Sequence, residues 1–101
     1  MTTSIDLDEI IKALAHPVRR KMLADLKEPT VHFPTQEHSL ELGVCAGQFV
    51  QCGLSQSTVS AHLAGLQRAK LVTCKKIGQW SFFKRNEEVI TEFLHQMNQK
   101  I

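Results

Sequence analysis

The chain has 101 residues, of which 43% are hydrophobic, and a formal net charge of +2. This length fits one small domain spanning residues 1–101, and no apolar run approaches the roughly 18 residues of a membrane span. The three cysteines lack CxxC spacing, which argues against a disulfide framework, and no signal-peptide pattern is present, so we expect a cytoplasmic protein without a membrane partner.

Two helices are predicted near the start of the chain. Residues 7–14 have apolar side chains at helical spacing, and Asp6 followed by Glu9 forms a start box. Pro17 removes a backbone donor and therefore suits the first turn of a second helix. From 28 to 40, two prolines and the absence of a sustained period predict a loop with room for a short helical turn.

A helix-turn-helix is predicted in the centre of the chain. Helical character resumes near Leu42 and runs to about Gln51. Gly53, which tolerates a positive backbone angle, then breaks the helix, and Ser55 caps the next one.

The two faces of this next helix differ in side-chain size. Val59, Leu63 and Leu66 fall on one side, which we expect to be packed. The opposite side carries Ser57, Ala61, Ala64 and Arg68. A merely solvated face would usually carry Glu and Lys, whereas short side chains allow close approach to a grooved surface. The pattern indicates insertion into a DNA groove.

A hairpin and a final helix are predicted in the last third. Residues 72–77 and 80–84 read as two short strands around the tight turn Gly78-Gln79. Asn86 then offers a cap for a terminal helix.

The first and last helices share an apolar stripe that we expect to form a dimer interface. The predicted interface residues are Leu7, Ile10, Ile11, Ile90, Phe93, Leu94 and Met97. Two such helices expose more apolar surface than one small core can cover, which favours pairing across a two-fold axis. The alternative is that both helices pack only into the core of their own chain.

Charge is concentrated in the centre of the chain. The stretch between Glu41 and Glu87 contains no carboxylate but six of the 12 Lys and Arg residues, so the remainder holds six bases against all 10 acids. A one-sided positive field attracts polyanions such as nucleic acid through counterion release. The alternative is a solvated basic face.

The motifs together resemble those of a known family. Three blocks carry the resemblance: ALAHPVRRKMLADL (13–26), LSQSTVSAHLAGLQRAKLV (54–72) and IGQWSFFKR (77–85). They are similar to the ArsR/SmtB family of transcriptional repressors. The fold class expected is therefore mainly α with a small β-hairpin wing, a winged helix-turn-helix in the order α-α-α-α-β-β-α.

The resemblance implies a homodimer, held by the first and last helices, that represses transcription by binding an inverted-repeat operator in double-stranded DNA near its own or a neighbouring promoter. By that similarity Gln56, Ser57, Thr58 and Ser60 read bases and phosphates. For Ser55 and Thr58 the alternative is a role in capping the helix alone. His62 either contacts DNA or packs beside its neighbours. Arg68, Lys75, Lys76 and Lys84 complete the predicted DNA-binding set, and the lysines serve the phosphate backbone.

Four further residues have two interpretations each. Trp80 is expected in the core at the base of the wing rather than on DNA. Arg19 and Arg20 either meet phosphates or solvate the second helix, with solvation favoured. Lys70 stands where the family commonly has a helix-ending glycine, so we expect a shifted cap there rather than backbone strain.

The signal that releases DNA is not identified by the sequence; metal, thiol oxidant and small molecule are the classes considered. The family's Cys-x-Cys metal site is reduced here to Cys45, because Gly43 replaces the first cysteine. No cofactor is required, but His32, His38 and Cys45, with Glu37 nearby, are weak candidates for a zinc effector site. On the last helix, Glu88, Glu92 and His95 are a weak match to the family's other metal site and are better explained as solvated charge.

A disulfide between Cys45 and Cys52 is disfavoured, because seven residues along one helix separate Cα atoms by roughly 10 Å. Cys74 is expected to be a small packed residue.

Two other functional classes compete with this interpretation. An enzyme is disfavoured, because no nucleophile elbow, triad order or glycine-rich phosphate loop accompanies the His, Cys and Glu residues. A winged-helix protein-interaction module without DNA binding is the alternative function, and the serine and alanine face argues against it.

Overall fold

The order of elements follows the predicted winged helix-turn-helix, with a short helix and a two-residue strand added between the second and third predicted helices. A computed structural model describes residues 3–50 and 53–101. Over this part of the chain the elements are α1 (Leu7–Leu14), α2 (Pro17–Lys27), α3 (Pro29–His32), β1 (Val44–Cys45), α4 (Ala46–Val50), α5 (Gln56–Arg68), β2 (Val72–Ile77), β3 (Trp80–Arg85) and α6 (Glu87–Lys100). None of these helices is both long and apolar enough to cross a bilayer.

Local signals set the starts of the outer helices as the sequence predicts. At the start of α1, Asp6 Oδ1 accepts a hydrogen bond from the Glu9 N–H at 3.1 Å. At the start of α6, Asn86 Oδ1 accepts from the Val89 N–H at 3.4 Å. Pro17 is the first residue of α2. A side-chain cap of this kind stabilises a helix by about 1 kcal/mol, because it satisfies a donor that the helix leaves unpaired.

The segment before α4 differs from the prediction. The sequence predicts a helix from Leu42 to Gln51, but the α-helix covers only Ala46–Val50. Leu42 is the last residue of a 3-10 turn, Leu40–Leu42, and Gln51 lies outside the described residues. The preceding residues form β1, where Val44 lies opposite Phe83 of β3 in an antiparallel pair. Pairing with a distant strand therefore overrides the local helical tendency of this segment.

The loop predicted at 28–40 contains the short helix α3 and then folds against β1. The side chain of Gln36 makes the connection: its Nε2 donates to the carbonyls of His38 at 3.1 Å and Gly43 at 3.0 Å, and its Oε1 accepts the Cys45 N–H at 2.8 Å. One amide group thus pairs backbone groups beside the outer strand of the sheet, which protects an edge that would otherwise be open.

Two glycines supply the positive φ angles that the turns require. Gly53, between α4 and α5, has a φ of 84°. Gly78 has a φ of 60° at the first central position of the hairpin turn, where Ile77 pairs with Trp80. A glycine at that position is the requirement of a type II′ turn, whose twist matches the flanking strands. The sheet order is β1-β3-β2, so β3 is the central strand.

The core forms where α1, α2 and α5 meet the sheet. Its buried side chains include Ile10, Met22, Leu26, Phe49, Val59, Leu63, Leu66, Leu71, Val72 and Phe83. On α5, Val59 is 1% exposed, Leu63 2% and Leu66 0%, which confirms the predicted inner face.

The predicted dimer stripe on α1 and α6 is only partly at the surface. The prediction that Ile10 lies in the interface is wrong, because its side chain is fully buried in the core of its own chain. Ile11 is 46% exposed and Leu94 59% exposed. Leu7, Ile90, Phe93 and Met97 are half-buried. We call these six surface residues the apolar stripe. Pairing of two chains through this stripe stays a prediction.

The end of α5 also differs from the expected shifted cap. Lys70 has a φ of 62°, in the left-handed region. The Leu71 N–H donates to the Leu66 carbonyl and the Lys70 N–H to the Gln67 carbonyl, both at 3.0 Å. These are the two bonds of a Schellman motif, which usually has glycine at the left-handed position. Burial of Leu71, 1% exposed, favours the motif despite the lysine.

Replacing Lys70 by glycine should stabilise the protein by about 1 kcal/mol, because a left-handed conformation costs an L-residue about that much. Lys70→Ala is the matched control, since it removes the same charge but keeps the Cβ atom. Urea unfolding of the two variants measures the difference. Equal free energies of unfolding would contradict backbone strain at this position.

Candidate nucleic-acid interface

The first turn of α5 presents a cluster of exposed hydroxyl groups. Ser55 Oγ accepts the Thr58 N–H at 3.2 Å, which confirms the predicted cap, and donates to Thr58 Oγ1 at 2.8 Å. Ser55 Oγ also lies 3.3 Å from Ser57 Oγ. The free N–H groups of a helix start favour anions, so this turn is suited to phosphate or to base edges.

The outer face of α5 is exposed along its whole length. The exposed residues are Gln56, Ser57, Thr58, Ser60, Ala61, Ala64, Gln67 and Arg68. The helix contains no carboxylate, and Arg68 in its last turn is its cation. Most side chains of this face are short and uncharged, which lets another surface approach the helix backbone closely. We call it the recognition face.

The lysines of the wing are all exposed but do not share one face. Lys75 lies opposite Phe82, two residues from Lys84, so these two lysines point to the same side of the hairpin. Lys76 points to the other side. The hairpin therefore presents positive charge on both of its faces.

Arg85, the last base of the acid-free stretch, has a structural contact instead. Its side chain is 15% exposed, and Nη1 donates to the carbonyl of Leu23 in α2 at 2.9 Å. Its Nε forms an ion pair with Glu87. These bonds connect the end of β3 to α2, so the charge is directed away from solvent.

His62 is half-buried between α5 and α2. Arg19 Nε donates to His62 Nδ1 at 3.1 Å, and the ring of His16 lies 5.7 Å away, centroid to centroid. Burial lowers the pKa of His62 below its ordinary value of 6.5, and the charges of Arg19 and His16 lower it further. An acceptor at Nδ1 requires the neutral ring, so geometry and electrostatics agree.

Neither arginine of α2 merely solvates the helix, which was the favoured expectation. Arg20 Nη1 donates to the Leu14 carbonyl at 2.5 Å and so closes the end of α1. Arg19 reaches α5, where its guanidinium lies over Gly65. The Arg19 contact is the feature that the sequence reasoning missed. A glycine inside a helical pattern is the signal that could have shown it, because such a glycine usually has a packing reason.

The prediction that Trp80 lies in the core is wrong. Its side chain is 44% exposed, and its ring packs against His38 with centroids 5.0 Å apart. The buried aromatic of this face is Phe82, which is 2% exposed and lies under the edge of His38. Trp80 pairs with Ile77 at the hairpin end, where His38 covers only one side of it.

The candidate metal ligands do not converge. His32 Nδ1 lies 3.6 Å from Asp25 Oδ1, His38 packs on Trp80, and Cys45 is 7% exposed in β1. Within residues 3–50 and 53–101, no three His, Cys, Asp or Glu side chains are grouped to hold a metal ion. The predicted zinc set is therefore not assembled in this part of the chain.

The cysteines occupy different environments. Cys45 lies in a strand rather than a helix, so the helical spacing assumed for Cys45 and Cys52 does not apply, and Cys52 lies outside the described residues. Cys74 is half-buried in β2 and packs against the core, as expected.

Comparison with known proteins finds relatives that are transcriptional regulators. No protein-family model matches the sequence. The chain is 39% identical over 85 residues to the uncharacterized HTH-type transcriptional regulator YbzH of Bacillus subtilis (strain 168), a match covering 81% of this chain and 85% of the relative. A crystal structure of an ArsR family transcriptional regulator superimposes with a TM-score of 0.72 at 16% identity, covering 99% of this chain and 92% of that one. The transcriptional regulator HlyU of Vibrio vulnificus CMCP6 superimposes with a TM-score of 0.56 at 28% identity, covering 88% and 83%.

Titration of His62 tests the geometry around it. Because its pKa is lowered in the folded protein, the unfolded chain takes up the proton first as the pH falls. The stabilisation that the neutral His62 ring contributes to the fold is complete above pH 6.5 and is lost as the pH falls through the lowered pKa. His62→Asn keeps an acceptor at the position of Nδ1 but does not titrate. We expect the stability of the unmodified protein to fall relative to this variant below pH 6.5, measured by urea unfolding. Parallel pH profiles would contradict the arrangement.

Proposed function

The chain belongs to the ArsR family of winged helix-turn-helix transcriptional regulators, and from this premise we propose that it is a homodimeric repressor that binds an inverted-repeat DNA operator. The proposal rests on the recognition face, which is exposed, carries mostly short side chains and contains no carboxylate. The operator lies near the protein's own or a neighbouring promoter. The releasing signal, whether metal, thiol oxidant or small molecule, stays a prediction.

In this proposal α5 enters the major groove of DNA. The groove is wide enough for a helix, and the short side chains of Ser57, Ser60 and Ala64 let the backbone approach the base edges. Gln56 can pair with an adenine edge through its amide, and the two serine hydroxyls can bond to bases or phosphates. Sequence readout therefore rests on few side chains, while the helix itself provides the fit.

The basic residues supply affinity without sequence information. Arg68 lies at the far end of the recognition face, and the exposed lysines at 75, 76 and 84 extend the positive surface along the wing. Each phosphate contact releases counterions and steepens the dependence of affinity on salt by about 0.9 in the log–log slope. Because Lys75 and Lys76 point to opposite faces of the hairpin, the wing can contact a backbone from either side.

Dimerisation through the apolar stripe fits a palindromic site. A two-fold axis through α1 and α6 gives a self-complementary contact and presents two copies of α5. Two such helices read half-sites about one helical turn, roughly 34 Å, apart. The exposure of Leu94 and Ile11 supports this pairing, because water contact with so much apolar surface is unfavourable.

The test of DNA binding uses a duplex from the protein's own promoter region that carries an inverted repeat. Ser57→Glu combined with Ser60→Glu should weaken binding by about 100-fold, because two contacts worth about 1–3 kcal/mol each are lost and two negative charges face phosphates. Fluorescence anisotropy at several salt concentrations gives the affinity and its salt slope.

Thr30→Glu combined with Thr35→Glu is the matched control, because it changes the net charge equally at two exposed residues outside α5 and the wing. We expect this control to bind nearly as well as the unmodified protein. Equal loss in both double variants would contradict the placement of the recognition face. Indifference of the unmodified protein to DNA would favour the protein-interaction module instead.

The test of the dimer is Leu94→Glu, with Val31→Glu as control. Both residues are strongly exposed in one chain, Leu94 at 59% and Val31 at 63%, but Val31 belongs to α3 and is not part of the apolar stripe. Leu94→Glu should weaken dimerisation by at least about 100-fold, because an unpaired carboxylate would be buried. Sedimentation equilibrium measures the change. A dimer that survives Leu94→Glu, or that dissociates equally in Val31→Glu, would place the interface elsewhere.

A further inference from the structure

Arg19 of α2 fills a space on α5 that Gly65 leaves open. A Cβ atom built on Gly65 would overlap Arg19 Cζ and would lie 2.6 Å from Nη1 and from Nη2. Gly65 lies inside α5, where glycine is less favourable than alanine for helix formation. The guanidinium group thus occupies a position that almost any other residue at 65 would block.

The same arginine also makes a directional bond to α5. Arg19 Nε donates to His62 Nδ1 at 3.1 Å, and His62 precedes Gly65 by about one helical turn. His16, the residue before α2, packs its ring 5.7 Å from that of His62. The start of α2 is therefore attached to two successive turns of the helix that carries the recognition face.

The core alone constrains α5 less specifically. Val59, Leu63 and Leu66 hold the helix through apolar burial, which is non-directional and permits small rotations and shifts. A hydrogen bond has a preferred angle and length, so the bond to His62 adds a constraint on rotation. Gln56 and Ser57 lie two turns or less from this bond, and their direction follows the rotation of the helix.

We propose that Arg19 is a positioning residue for DNA binding: seated over Gly65 and bonded to His62, it fixes the orientation of α5 relative to α2. The proposal rests on the proposed function, in which α5 reads DNA. The rival role for Arg19 is a direct contact with a phosphate, since among the described residues it has no carboxylate within ion-pair distance.

Two substitutions at Arg19 separate these roles. In Arg19→Gln the amide Nε2 stands at the same place along the side chain as the arginine Nε, so a donor to His62 is kept. Arg19→Met has similar length but no donor, and both variants lose the charge. Positioning predicts a loss of about tenfold in affinity for Arg19→Met but less than about threefold for Arg19→Gln, with unchanged salt slopes. Equal losses, with slopes lower by about 0.9, would overturn the proposal in favour of a phosphate contact.

Gly65→Ala tests the position of Arg19 by filling the space that its guanidinium group occupies on α5. The added Cβ meets the far end of a flexible side chain, so Arg19 can move away while the helix is retained. We expect an unchanged or higher melting temperature together with a loss of about tenfold in DNA affinity. In the Arg19→Met background the same substitution should cost nothing further, because the bond is already absent. Additive losses in the double variant, or unfolding of Gly65→Ala, would overturn the proposal.

Binding of the unmodified protein is measured first on the same duplex. If it does not bind, the proposed function fails and the positioning role fails with it. If it binds and Arg19→Gln and Arg19→Met are equally impaired, only the positioning role fails.

Discussion

The binding surface depends on how one helix divides its residues between the core and solvent. Val59, Leu63 and Leu66 are at most 2% exposed, and they fix α5 to the rest of the chain. The other side of the same helix bears mainly serines and alanines, with longer side chains only at Gln56, Gln67 and Arg68, so most of this surface is narrow. Long side chains there would hold a duplex away from the backbone, so the capacity to enter a groove follows from side-chain size as much as from charge.

The elements around α5 hold it and the wing in one arrangement. Arg19 attaches α2 to α5, and Arg85 attaches the last residue of β3 to the carbonyl of Leu23 in α2. The amide of Gln36 closes the outer side of the sheet. These polar contacts join elements that are distant in the sequence, and they surround a core that is otherwise apolar. Helix and wing can therefore approach a ligand as a unit.

Features set by neighbouring residues could be predicted from the sequence. The inner face of α5 follows from helical spacing, its start from the hydroxyl of Ser55, and the wing from two short strands around Gly78. Features that depend on distant partners could not. Strand β1 has only two residues and exists because β3 lies beside it, and the left-handed Lys70 follows from the burial of Leu71.

The candidate site shows the same division. Exposure of the recognition face was predicted, because polarity and spacing determine it. Periodicity alone cannot say that Ile10 faces its own core while Ile11 faces solvent, or that Trp80 is left half-exposed. The Arg19 contact with Gly65 joins residues far apart in the chain, and only the mid-helix glycine indicated it. His32, His38 and Cys45 lie in one region of the sequence, but folding gives each of them a different neighbour.

The most direct measurement of the central claim is the detection of intermolecular nuclear Overhauser effects between the isotope-labelled protein and a bound duplex. Insertion of α5 into the major groove predicts contacts from the methyl group of Ala64 and the β-protons of Ser57 and Ser60 to base protons of that groove. Contacts confined to the wing lysines, or arising from α1 and α6 while α5 shows none, would contradict it.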